Sequence, residues 1–178
     1  MAPNQAAVSE RPMSPIPQPA RTGEATDYQG RPLVYVVRFC GTEESSVASA
    51  IRQGIGVLDS FLQRQGADEP SELVIVYRNR LPGAVTLQIG FPVDQRIANA
   101  AAGEVFAGLT PSGPMIEILP GGDLEEVLSV GARLPEGGPS LTWQTFRPAD
   151  FRPWRAHPSA PVMAPAELGA PDTRPEPS

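Results

Sequence analysis

Three aromatic residues inside strand-like runs, Tyr77, Trp143 and Phe146, have the most scope for molecular recognition in this chain. Ligand pockets are mostly apolar with a few placed polar groups, so all three are candidates to line a groove; they equally suit an ordinary core, where strand aromatics collect. Glu117, between Ile116 and Ile118, is an acidic residue in an apolar strand, and is either a groove carboxylate or part of a solvated sheet face. Arg38, between Val37 and Phe39, either faces solvent or meets a carboxylate or an anionic ligand.

The remaining inventory excludes most catalytic schemes. His157 is the only histidine and lies in a proline-rich stretch, so neither a catalytic triad nor a multi-histidine metal site can be built. Cys40 is the only cysteine, which rules out an intrachain disulfide and a multi-cysteine zinc site and fits a reducing compartment. It stands beside Gly41 at a helix start, where a thiol pKa can fall, but no histidine is near it in sequence and a buried, inert thiol is the reading adopted. All 14 basic residues are arginine, which removes any lysine nucleophile. The glycines Gly103, Gly108, Gly113, Gly121 and Gly122 therefore cannot belong to a phosphate loop with its Gly-Lys-Ser/Thr ending. A hydrolase would need a placed acid or base, and Glu117 is the one candidate. A non-enzymatic protein without cofactor is expected.

The net charge of −6 argues against a nucleic-acid surface, which needs a concentrated basic face. No apolar stretch approaches a membrane span, and the N-terminus lacks a basic flank followed by an apolar core, so the chain reads as cytoplasmic with no membrane partner.

The elements that must position these residues are legible from periodicity. Leu33 to Phe39 is nearly continuous in apolar residues and predicts a strand covered on both faces. Thr42 is a suitable N-cap, with Glu43 and Glu44 in the first turn. Val47, Ile51, Ile55, Leu58 and Leu62 then recur at spacings of three and four, a helix of about six turns. Gly66 ends it as the C′ residue. Gly54 and Gly56 inside the helix each cost roughly 1 kcal/mol against alanine, and close packing on a sheet would account for them. Leu73, Ile75 and Tyr77 alternate with Val74, Val76 and Arg78, and Val85, Leu87, Ile89 and Phe91 with Thr86, Gln88 and Gly90. This is a hairpin in which Pro82 and Gly83 take the central turn positions. Beyond a small-residue linker, Glu104 to Leu119 reads as one strand bent at Pro111–Pro114. Asp123 starts a shorter helix reaching Leu134, and Leu141 to Arg147 alternates as a strand.

Of the 22 prolines, six lie at or before Pro32 and eight at or after Pro148. The expected organisation is a disordered proline-rich tail over 1–32, one domain over 33–147, and a second disordered tail over 148–178. The order β, α, β, β is followed by β, α, β, and no closing strand is recognisable. Antiparallel strands interleaved with two helices predict an α+β fold with the helices on one face of the sheet and a groove on the other.

Three segments resemble the gyrase-inhibitor-like effector-binding domain family: Val74–Tyr77 with Leu87–Val93, Gly103–Gly113, and Trp143-Gln144-Thr145-Phe146. The resemblance implies a tandem β-α-β-β repeat with an antiparallel sheet and a small-molecule groove between the halves. Related haem-binding proteins share the general fold, but His157, in the proline-rich tail, is a poor haem ligand and no haem is expected. Where the family commonly places Glu and Tyr on the late strand, this chain has Gln144 and Phe146. An amide only exchanges hydrogen bonds, so a cationic ligand is disfavoured and Glu117 becomes a replacement carboxylate. Trp143 and Gln144 point to opposite faces of one strand, and Gln144 with Phe146 is the pair placed in the groove. The implied function is binding of a small organic molecule, with regulation of a protein partner, or of transcription through another chain, as the output. The alternative is a protein-interaction module with a degenerate groove and partner-binding proline-rich tails.

Overall fold

The computed structural model describes residues 25–118, 142–151 and 162–165. In chain order they form β1 (Thr26–Tyr28), β2 (Pro32–Gly41), α1 (Glu44–Arg64), β3 (Leu73–Leu81), β4 (Ala84–Pro92), α2 (Gln95–Ala98), β5 (Phe106–Leu109), β6 (Gly113–Ile118), β7 (Thr142–Phe146), α3 (Pro148–Phe151) and β8 (Val162–Pro165). The fold is α+β. Its strands make one antiparallel sheet in the order β1-β6-β8-β7-β3-β4-β2-β5.

The hairpin β3–β4 forms as its alternation predicts. Leu81 pairs with Ala84 across Pro82-Gly83, and Gly83 has φ +73°, which the second central position of such a turn requires. Helix α1 buries Val47, Ile51, Ile55, Leu58, Phe61 and Leu62 against the sheet. Each such side chain contributes about 1.5–3 kcal/mol when fully buried. Its C-terminus is a Schellman motif: Gly66 has φ +60° and donates to the Gln63 carbonyl, while Ala67 donates to that of Leu62. The N-terminus differs from expectation. Glu43, not Thr42, is the N-cap residue, and no side chain caps it. The carboxylate of Glu44 in the first turn complements the helix dipole instead.

Two short connections dictate the shape of the sheet. Leu109 and Gly113 are four Cα steps apart, as are Tyr28 and Pro32, so each link spans at most about 15 Å. Yet β5 and β6, like β1 and β2, stand six strand intervals apart in the sheet order, about 29 Å if the sheet were flat. The sheet must curl until its edges approach, and it forms a half-barrel. The two connections clasp each other there: the Arg31 N–H donates to Thr110 Oγ1, and the Thr110 N–H donates to the Arg31 carbonyl, both at 2.9 Å.

The curl separates two apolar clusters. One lies under α1 and gathers Val34, Val36, Leu73, Ile75, Tyr77, Val85, Leu87, Ile89, Phe91, Phe146, Val162 and Ala164 from the convex face. Phe151 of α3 joins it against Phe91, with ring centroids 5.6 Å apart. The other unites, among the described residues, Leu33, Val74, Val76, Met115, Trp143 and Met163 of the strands, with Tyr28 and Tyr35 packed on it. Strands distant in the sheet order meet in that cluster only because they line the hollow of the curl.

Several expectations change. The stretch expected to form one bent strand from Glu104 holds two strands, β5 and β6, six places apart in the sheet order. A closing strand exists: β8 pairs with β6 and β7. Four residues flanked by Pro161 and ended by Pro165 are too few to show a period-two pattern, and proline is tolerated at such a strand end. With β1, α3 and β8 in the fold, the ordered region reaches past both bounds of the proline-poor segment 33–147. The helix expected from Asp123 to Leu134 and the disorder expected in the terminal tails fall largely outside the described residues. Strand β2 is covered on both faces only over its first half, since Val37 and Phe39 are 43% and 67% exposed. Among the described residues no helix is long and apolar enough to cross a membrane.

The two helix glycines differ. A Cβ on Gly54 would sit 2.8 Å from Ile89 Cδ1 and 3.1 Å from Val36 Cγ2, whereas one on Gly56 would meet nothing within 4 Å. Equilibrium urea unfolding should find Gly56→Ala more stable by about 0.5–1 kcal/mol. Gly54→Val should be less stable by about 1–3 kcal/mol or more, through overpacking between helix and sheet.

Candidate functional site

The hollow of the half-barrel is filled at one end and open at the other. At the filled end Tyr28 of β1 meets Trp143 of β7 edge-to-face, ring centroids 5.4 Å apart, and its hydroxyl points to Met163 Sδ at 3.9 Å. At the open end a cavity of about 390 Å³ is lined by Tyr35, Val37, Arg78, Thr86, Gln88, Gly108 and Leu109. Such a volume falls within the range of small-molecule sites.

Strand alternation and two glycines shape this groove. Tyr35 and Val37 of β2, Arg78 of β3, and Thr86 and Gln88 of β4 are the residues that do not face α1; Val37 pairs with Gln88, and Arg78 with Thr86. Gly108 lies beneath the Tyr35 ring, where a Cβ would come within 3.0 Å of Tyr35 Cε1, so the ring can rest on β5 as a wall. Its neighbour Phe106 stacks obliquely, with centroids 5.7 Å apart. At Gly90 a Cβ would sit 2.8 Å from the Val34 carbonyl oxygen, so β2 and β4 approach here without an intervening side chain. Within the groove Arg78 Nε donates to Gln88 Oε1 at 3.0 Å.

The residues singled out from sequence divide between the two faces. Tyr77, Gln144 and Phe146 belong to the convex, helix-covered side. The Tyr77 hydroxyl donates to Gln144 Oε1 at 2.8 Å in a buried pair, and Phe146 packs in the core. Gln144 and Phe146 do share a face, but it is not the groove face; placing them in the groove is corrected by the register. Ile75 pairs with Gln144 and Leu73 with Phe146, and both partners lie in the core under α1. Trp143, the other candidate on that strand, is turned into the hollow. It is 3% exposed, and its indole N–H has no hydrogen-bond partner among the described residues. Glu117 is exposed and shares the concave face, paired with Met163, which pairs in turn with Trp143. It stands four strands from Gln88 in that row. Arg38 is turned away from the groove and binds the Glu104 carboxylate at 3.1 Å.

The groove residues Arg78, Thr86 and Gln88 are the polar half of the hairpin alternation. The signal was present as hydrophilic residues that share one face with Val74 and Val76 in the hairpin alternation. Tyr35, Gly108 and Leu109 had no comparable signal, because they reach the site through pairing between β2 and β5.

Ionisation separates structural from reactive groups. Burial, and then the neighbouring Glu43 carboxylate, push the Cys40 thiol up, so it is protonated near neutral pH and is a poor nucleophile. Burial, and then nearby Cys40, hold the Tyr77 phenol far above the ordinary tyrosine value. Both groups keep their protons more tightly in the folded chain than in the unfolded one. Their contribution to stability is complete below the ordinary cysteine and tyrosine values, about 8.5 and 10, and is lost as the pH rises beyond them. Denaturant titrations should therefore show stability falling in alkali, with Tyr77→Phe flattening the decline above about pH 10. At neutral pH Gln144→Leu, which strands the buried Tyr77 hydroxyl, should cost about 1–3 kcal/mol. It should leave the groove's shape, read from the NMR shifts of Thr86 and Gln88, unchanged.

No protein-family model matches the chain and no curated protein matches it, so the chemistry of the groove is read from its own residues.

Proposed function

We propose that this protein binds a small organic molecule, without transforming it, in the open end of its half-barrel. The cavity between Tyr35, Val37, Arg78, Thr86, Gln88 and Leu109 carries this reading, since it joins apolar walls to a few placed polar groups. The sheet order supports the gyrase-inhibitor-like architecture as its setting. Strands β2, β3 and β4 stand in the order 3-4-2 on one side of the β3–β7 pairing, and β6, β7 and β8 stand in the order 6-8-7 on the other. Two β-α-β-β units related by a twofold between β3 and β7 would produce that order. Regulation of a partner, or of transcription through another chain, remains the proposed output of binding.

A second reading, protein interaction, draws on the exposed apolar residues Val37, Phe39, Phe106 and Leu109 at the β2–β5 edge. They adjoin the groove, so the two readings share a surface and separate on what occupies it.

A thermal-shift screen of amphipathic compounds against the full chain decides between them. A true ligand at a hundredfold excess over its Kd should stabilise the fold by about 2.7 kcal/mol, and Thr86→Trp, which fills the cavity, should abolish the shift while leaving the free protein folded. Absence of saturable stabilisation across a broad panel, together with self-association or partner capture lost on Phe39→Ser, would favour the interaction reading.

A further inference from the structure

We infer that the groove selects an organic anion, a carboxylate head on a compact apolar body. The inference rests on the concave groove being the ligand site and names the class of ligand it takes. Among the described residues the lining contains no aspartate or glutamate and one cation, Arg78. Arg31 and Arg38 are each paired, with Glu72 and Glu104. Arg78 has no carboxylate partner among the described residues; it is bonded to the neutral Gln88 amide.

That contact also orients the donors. A guanidinium Nε only donates, so Gln88 must present Oε1 to it, which leaves the amide N–H groups and the terminal guanidinium N–H groups for an outside acceptor. Thr86 and Tyr35 add two hydroxyls to the same lining. A carboxylate is an acceptor of hydrogen bonds with two oxygens matched to the guanidinium fork. A cationic head would meet Arg78 with no compensating charge.

The rest of the cavity sets the body of the ligand. Tyr35, Val37 and Leu109 form apolar walls around about 390 Å³, near the small end of the usual range, which suits one ring and a short chain rather than a long acyl tail. One guanidinium in a chain of net charge −6 favours a monoanion, because a phosphate dianion would require more local positive charge.

Isothermal titration of the full chain with 4-phenylbutyrate, 4-phenyl-1-butanol and 4-phenylbutylamine tests the assignment. The acid should bind at least tenfold more tightly than the alcohol, the amine more weakly than either, and the preference for the acid should shrink as salt is added. Arg78→Met should remove the acid's advantage over the alcohol, so that the two bind with similar affinity. Equal binding of amine and acid, or an Arg78→Met variant that keeps the acid's advantage, overturns the anion assignment while leaving the groove as a ligand site. Failure of all three probes to bind saturably overturns both. Should Arg78→Met not fold, the Gln88 side-chain amide resonances of the wild-type chain serve instead: they should shift with the acid and stay fixed with the amine, and the reverse pattern rejects the assignment.

Discussion

Two connections of three residues each hold this fold in its shape. Because β5 passes to β6, and β1 to β2, between opposite regions of an eight-stranded order, the sheet cannot be flat. The Thr110 N–H, bonded to the Arg31 carbonyl, ties the two connections together where they leave the β2–β5 pair. Everything distinctive about the concave face follows. Tyr28 can cover Trp143, and Leu33 can join a cluster with Met115 and Met163, because the curl brings remote strands across from one another. Where aromatic side chains do not fill the hollow, it remains open.

The two faces of the sheet use polar groups differently. On the convex side the Tyr77–Gln144 hydrogen bond lies among apolar neighbours, where each partner removes the desolvation penalty of the other. It holds β3 and β7 together at the centre of the sheet. On the concave side Arg78 and Gln88 also form a bonded pair, but Arg78 is exposed and keeps donors in reserve. Similar residue types thus serve cohesion on one face and leave donors open to the hollow on the other, and exposure separates the two.

Much of the first half was legible in the sequence because its signals are local and long. Nine-residue strands with strict alternation, a turn with Pro82 and Gly83, and a six-turn apolar stripe each repeat their pattern often enough to be read. Strand β8 has four residues and two prolines at its margins, and the bend expected near Pro111–Pro114 is a passage between strands six places apart; neither has a local signature. The choice of Gln144 over Trp143 failed for a related reason. Alternation shows that the two residues point to opposite sides, but which side faces the hollow depends on register with β3 and on the side to which α1 packs.

The sequence by itself determined an α+β chain, the hairpin and its helix, the two faces of each strand, and a residue inventory poor in catalytic and metal-binding groups. These follow from backbone geometry and side-chain chemistry within a few neighbouring residues. Tertiary structure alone decided which face became core and which became groove, and it joined Tyr35, Arg78, Gln88 and Leu109 around one cavity. That outcome depends on long-range pairing and on the curl forced by two short connections, and neither is written in the periodicity of any one segment.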